Sequence, residues 1–224
     1  YTAHGFHFFR GAPPVQATVF KVVERVASDW TDKLIVINQE DLAAAKAFPL
    51  GRRGGVVYMP GIGVDTSKYG RAGVDPAGAE RVRRELGLVE GQPLLTMVAE
   101  FNPGKRHKDA VAALAASGLD DATLALAGDG PLVDEVLALA RSLGVGERVR
   151  ALGYRHDIPD ILAASTAVLL PSEREGLPRS LMEAASLELP LIATRIRGIT
   201  ELVTPETGIL HDTLTYSIRE ILRN

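Results

Sequence analysis

Short apolar runs alternate with longer stretches of helical periodicity along most of this chain. Residues 33–37 and 55–59 read as strands, and six more apolar runs follow at 94–99, 123–127, 149–152, 167–170, 191–193 and 207–210. The stretches between them predict helices, among them 13–29, with Val15, Val19, Val22, Val23 and Val26 on one face, then 39–48 and 76–86. Strands without polar interruption, each followed by a helix, are the pattern of a parallel sheet covered on both faces. Periodicity lapses at 60–65, a turn-rich stretch that predicts a domain boundary. Residues 66–224 then hold enough strands for a complete doubly wound domain, whereas 1–65 hold two or three. The expected fold class is α/β, with a doubly wound parallel-sheet C-terminal domain behind an incomplete, Rossmann-like N-terminal one.

One strand-to-helix junction carries the most chemistry. The run from Pro171 to Ala184 places two carboxylates, Glu175 and Glu183, eight positions apart, the first in a loop and the second inside a helix that Pro178 opens. From Pro178 to Glu183 a helix rises roughly 7 Å, so the free amides of the first turn fall between the acids. Those amides and the helix dipole attract phosphate. Hydroxyls at both ends and a charged middle describe a sugar nucleotide. A plainer reading exists for Glu183: it falls about 200° around the wheel from Leu181, which also fits a solvated helix face.

Composition narrows the function classes. A net charge of −3 without a long Lys/Arg run argues against nucleic acid as a partner. No apolar stretch reaches the ~18 residues of a membrane span. The absence of cysteine rules out disulfides, thiolate metal sites and a Cys nucleophile within the sequence. The five histidines are scattered, and Asp120-Asp121 precedes a strand, so no metal-ligand spacing recurs and no metal or other cofactor is expected.

The segment E-G-L-P-R-S-L-M-E-A around Glu175 and Glu183 resembles the E-x7-E segment of retaining GT-B glycosyltransferases of the group 1 type. Residues 1–9, 31–41 and 60–65 are similar to the later half of the N-terminal domain in members that build capsular and exopolysaccharide repeat units. The resemblance implies domains at 1–65, a truncated acceptor-side part, and 66–224, the nucleotide-sugar-binding part. It implies that Glu175 contacts the donor sugar, Glu183 the ribose, and the amides near Gly176 and Leu177 the diphosphate. His4 takes the position of a functional His in the acceptor cleft, against the plainer reading of a polar residue near a strand end. Phe6, Phe8 and Phe9 line an acceptor or lipid-facing surface or else simply pack in the core.

Lys105, in the loop after the strand at 94–99, matches the family's diphosphate-binding Lys. The Arg that many members carry five positions earlier is Glu100 here. Arg106 or Lys108 are the candidate substitutes for that cation; without the resemblance they read as a solvated charge cluster at a helix start. Gly128, in the turn Gly128-Asp129-Gly130, borders the donor pocket by the same resemblance, with Asp129 either there or simply capping a helix. Tyr154 lies in a loop resembling the one that meets the nucleobase, and Asp157 beside it also fits an N-cap.

The expected activity is metal-independent transfer of a sugar, with retention, from a nucleotide-diphosphate donor, UDP above others, to a polyprenyl-linked saccharide. The expected location is cytoplasmic, at the inner membrane face, with peripheral membrane association through a missing N-terminal part. The strand end at Tyr1–His4 and the last helix stopping at Asn224 predict that the chain is a piece of a larger protein, inactive or weakly active alone. The rival readings are a sugar-nucleotide epimerase of the same fold and a non-catalytic nucleotide-sugar-binding module.

Overall fold

The computed structural model describes residues 1–9, 11–51 and 54–212. The predicted helix ending at Asn224 lies outside the described residues. The chain divides into two compact units: the first holds Tyr1–Gly63 with two later stretches, Glu175–Arg179 and Ile196–Leu202, and the second holds Val64–Arg174, Ser180–Arg195 and the chain from Val203 on.

In the first unit, β1 (Thr2–Ala3), β2 (Lys33–Val36) and β3 (Gly55–Tyr58) form a parallel sheet in that order. Ala3, Phe6, Leu34, Val36, Ala45 and Phe48 form its core. Phe6 and Phe8 stack at 4.7 Å, and both meet Phe48 edge-on, which gives these two rings packing roles. Helix α2 (Gln39–Ala45) starts at Asn38, whose side chain accepts from the Asp41 amide. Helix α1 (Pro14–Ser28) has the predicted valine face, and that face is turned to solvent, Val15 being 79% exposed and the other four at least half exposed. The helix packs instead through Phe20, stacked on His7, and through Ser28, its one buried residue.

The second unit is built on a six-stranded parallel sheet. It contains β4 (Leu94–Val98), β5 (Thr123–Ala127), β6 (Val149–Gly153), β7 (Ala167–Leu170), β8 (Leu191–Thr194) and β9 (Gly208–His211), in the order β6-β5-β4-β7-β8-β9. Strands β5, β7 and β8 are buried at every position, which is why they read as unbroken apolar runs. Helix α3 (Pro76–Glu85) precedes its first strand, and its crossovers include α4 (His107–Ala116), α5 (Val133–Ser142), α6 (Ile158–Ala163) and α7 (Arg179–Ser186). Asp75 caps α3 through the Ala77 amide, with Pro76 at the first helical position. Helix α3 packs on α6 so closely that a Cβ on Gly78 would stand 2.4 Å from the Asp160 carboxyl carbon.

Candidate functional site

Strand order in the second unit reverses around β4, which lies between β5 and β7. In open parallel sheets the crevice beyond the carboxyl ends at such a reversal is where ligands sit. Two loops leave there. After β4 the chain runs to a 3-10 turn at Pro103–Lys105, closed by the Asn102 side chain on the Lys105 amide at 3.2 Å. Arg106 then adopts φ +57, an uncommon conformation for a non-glycine residue, and α4 begins. After β7 the chain reaches Glu173, whose amide donates to the Gly104 carbonyl at 2.9 Å. That bond ties the Lys105 loop to the segment leading to Glu175.

Lys105 is half-buried at the end of the turn. The two alternative cations each meet an acid: Arg106 pairs with Asp109, and Lys108 with Glu135 at 2.7 Å. Glu100 accepts a hydrogen bond from Asn102 at 3.0 Å. Glu183 is 6% exposed, which removes the solvated-face reading. The wheel fails to discriminate because only Arg179 of α7 is exposed, so burial extends around the helix.

The turn after β5 is more closely packed than its sequence suggests. A Cβ on Gly128 would stand 2.0 Å from the Ala99 carbonyl oxygen, and one on Gly130 would stand 2.6 Å from that of Phe101. The close approach is therefore made by the chain's own backbone, reinforced by the Phe101 amide donating to the Asp129 carbonyl at 2.8 Å. The Asp129 side chain accepts from Gly130 and does not cap α5. Tyr154 is 75% exposed and meets His156 edge-on. Asp157 occupies the N-cap position of α6 without a capping bond; its carboxylate takes Arg155, which also bridges to Glu85 on α3. Hydrogen bonds from Arg155 hold both carboxyls below their usual range.

Beneath this rim, His107 is 2% exposed and stacks on Phe101 at 4.0 Å. Burial pushes its pKa down to about 4, with the Lys105 charge acting in the same direction. Between the ordinary value and about 4 the unfolded chain binds a proton that the folded one refuses, so stability falls as pH drops from 6.5 toward 4. The loss approaches about 3 kcal/mol. Urea melts at pH 7, 5.5 and 4.5 should show it, and His107→Phe should flatten this limb; an unchanged slope in that variant refutes the assignment.

In the first unit, His4 is exposed just past β1, and Glu175 is half-buried. The His4 carbonyl lies against the residue that follows Glu175: a Cβ on Gly176 would lie 1.8 Å from the His4 carbonyl oxygen, and one on Gly198 would lie 1.8 Å from that of Gly176. The structure thus brings together His4, Glu175, Gly176 and Leu177. It adds two residues that the sequence reading passed over, Asp41 and Arg197, paired at 2.7 Å and almost wholly enclosed. Among the described residues no cluster of three or more His, Asp or Glu could hold a metal ion, and no helix is long and apolar enough to cross a membrane.

A model of the family described as glycosyl transferases group 1 matches residues 78–217, more than half of the chain, and the chain belongs to that family. The putative glycosyltransferase EpsD of Bacillus subtilis (strain 168) is 36% identical over 214 residues, covering 94% of this chain and 55% of the relative. A UDP-Gal:alpha-D-GlcNAc-diphosphoundecaprenol alpha-1,3-galactosyltransferase of Escherichia coli is 30% identical over 92% of this chain and 54% of its own length. The chain spans about half the length of these curated relatives. Among solved structures, Anabaena HepE in complex with UDP and glucose matches with a TM-score of 0.81 at 24% identity, over 100% of this chain and 60% of that one. WaaG, a glycosyltransferase involved in lipopolysaccharide biosynthesis, gives a TM-score of 0.81 at 22% identity, over 100% and 65%. The α/β fold is that of GT-B glycosyltransferases.

Proposed function

We propose that this chain carries the donor-binding part of a retaining glycosyltransferase that moves a sugar from a UDP-sugar to a polyprenyl-diphosphate-linked saccharide in surface-polysaccharide assembly. The observation that carries the reading is the hydrogen bond from Glu173 to Gly104, which joins the Lys105 loop to the two-carboxylate segment at the sheet's reversal. The family match supports sugar transfer, the HepE complexes support UDP, and the name of the Escherichia coli relative supports a lipid-linked acceptor.

In this reading Glu183 binds the ribose hydroxyls, Lys105 and the amides near Gly176 and Leu177 hold the diphosphate, and Tyr154 covers the base. Gly128 keeps the rim narrow, Glu175 holds the donor sugar, and His4 faces the acceptor. Chemistry breaks the bond from the anomeric carbon to the phosphate oxygen, and the diphosphate leaves with the electron pair. Charge therefore grows on the leaving group, and a fixed cation and fixed amides lower the barrier by meeting it there. The acceptor oxygen forms the new bond on the face the diphosphate vacates while its hydroxyl proton passes to the departing diphosphate oxygen, and attack from that face is retention. In this reading the protein works in the cytoplasm at the inner face of the cell membrane, where a lipid-linked acceptor is met.

Calorimetric titration with UDP-, GDP- and ADP-sugars tests the donor. The UDP series is expected to bind tightest, and Glu183→Gln and Glu183→Ala to weaken it about 10- to 100-fold, the size of lost hydrogen bonds to a charged group. Unchanged affinity in both variants removes the ribose role. Donor turnover to an epimer without acceptor would instead favour an epimerase, and UDP-sugar binding with no transfer to any lipid-linked acceptor would favour a binding module. The reading also needs no divalent ion, so transfer in EDTA should match transfer in magnesium; a tenfold or larger fall in EDTA, restored by magnesium, argues against it.

A further inference from the structure

An ion pair shut away from water gains little over apolar side chains of the same volume. Arg197 and Asp41 form such a pair across 156 positions of sequence, Nη1 donating to Oδ1 at 2.7 Å with side chains 4% and 1% exposed. Three further hydrogen bonds of the pair run to backbone at or near the two residues proposed for the reacting centre, and another comes from the Asn38 side chain. Arg197 Nη2 donates to the Phe6 carbonyl at 3.1 Å, and Nε to the Glu175 carbonyl at 3.3 Å. Asp41 Oδ2 accepts from the Phe6 amide at 3.2 Å and from Asn38 Nδ2 at 2.7 Å. The guanidinium also lies over the Phe9 ring, 5.2 Å from its centroid. Phe6, two residues past His4, is thus held at both its N–H and its C=O, and Glu175 at its own carbonyl.

We infer that Arg197 and Asp41 are positioning residues, which set where the Glu175 carboxylate and the His4 imidazole stand relative to each other without touching substrate. This rests on the roles proposed above for Glu175 and His4. Both residues sit on loops, and a misplacement of about 1 Å in a reacting group costs on the order of 100-fold in rate. The glycine contacts at Gly176 and Gly198 fix how closely these backbones approach but allow them to slide. A planar guanidinium with donors in fixed directions does not allow sliding, and a lysine at the same place would hold the charge but not the directions. All of these groups belong to the first unit, so the device acts through the chain segments that unit gathers from three parts of the sequence.

The test uses two variants and a reading that does not require turnover. Arg197→Lys keeps the charge and loses the fork. The double variant Arg197→Met/Asp41→Leu replaces the whole pair by apolar volume, a change that folding tolerates. Calorimetry with UDP and with UDP-glucose, UDP-galactose and UDP-N-acetylglucosamine separates the nucleotide contact from the sugar contact. The unsubstituted chain should bind at least one UDP-sugar more tightly than UDP, and that gain reports Glu175. Both variants should lose about fivefold or more of the gain while binding UDP within about twofold of the unsubstituted chain. A folded double variant, or the Arg197→Lys chain, that keeps the full gain overturns the inference, because the pair would then be structural only. Glu175→Gln discriminates the underlying reading: if it too keeps the gain, or if the unsubstituted chain shows none, the donor-sugar role of Glu175 is wrong and the positioning role falls with it.

Discussion

Replacing Glu175 by glutamine is expected to lower kcat for sugar transfer by about 100- to 1000-fold, which is about 3–4 kcal/mol of transition-state stabilisation. Glutamine keeps the volume and removes the charge, and the backbone at this position is held independently of the side chain. The Glu175 carbonyl accepts from Arg197, and the next residue lies against the His4 carbonyl. The change is therefore confined to the carboxylate. UDP affinity, which the proposed function assigns to Lys105, Glu183 and the amides near Gly176 and Leu177, should stay within about threefold. Initial rates of UDP release at saturating donor and acceptor, together with a UDP titration, check both halves. A kcat within about threefold of the original removes Glu175 from the reacting centre.

Gly198→Ala is expected to destabilise the protein by at least about 4 kcal/mol, an exceptional value for a single methyl group. Gly198 has φ +77, and the added Cβ would stand 1.8 Å from the Gly176 carbonyl oxygen and 3.3 Å from the Leu177 amide nitrogen. Neither obstacle is a flexible side chain. Gly176 has little room to retreat, since the space where its own Cβ would stand is filled by the His4 carbonyl. Gly91 supplies the control: its φ is +76, but nothing lies within 4 Å of an added Cβ, so Gly91→Ala should cost only about 1 kcal/mol. Urea melts of the two variants separate backbone strain from collision, and similar midpoints would mean that the backbones near Gly198 are not in contact.

Much of the fold was legible because parallel strands buried on both faces leave unbroken apolar runs. The strands at Thr123–Ala127 and Ala167–Leu170 were readable to the residue, and most other element ends within one or two positions. Pro178 was expected to open α7, which starts one residue later at Arg179. The valine face of α1 shows the limit of periodicity: an apolar stripe identifies a helix but not what covers it.

Site legibility divides in the same way. Lys105, Glu175 and Glu183 stand in local patterns, and the loops that carry Lys105 and Glu173 meet as the expected topology requires. The burial of Glu183 was not readable, because a helical wheel assumes that one side faces water. The glycines of the turn after β5 pointed to close approach without saying to what, and the partner proved to be Ala99 and Phe101. Asp41 and Arg197 left no local trace. A pair separated by 156 residues has neither motif nor period, and each alone looks like an ordinary surface charge.

The patchwork make-up of the first unit bears on how the chain is synthesised. Its sheet is finished by Tyr58, yet the segments that close over His4 and Phe6 arrive only with Glu175–Arg179 and Ile196–Leu202. At about 5–20 residues per second, a ribosome needs roughly 7–30 s to add those remaining 140 or so residues. During that interval Asp41 stands without its guanidinium, and the early sheet waits for the late segments of its own unit. Nascent chains arrested before residue 196 should accordingly be more open to protease around Phe6 than chains arrested well beyond residue 202.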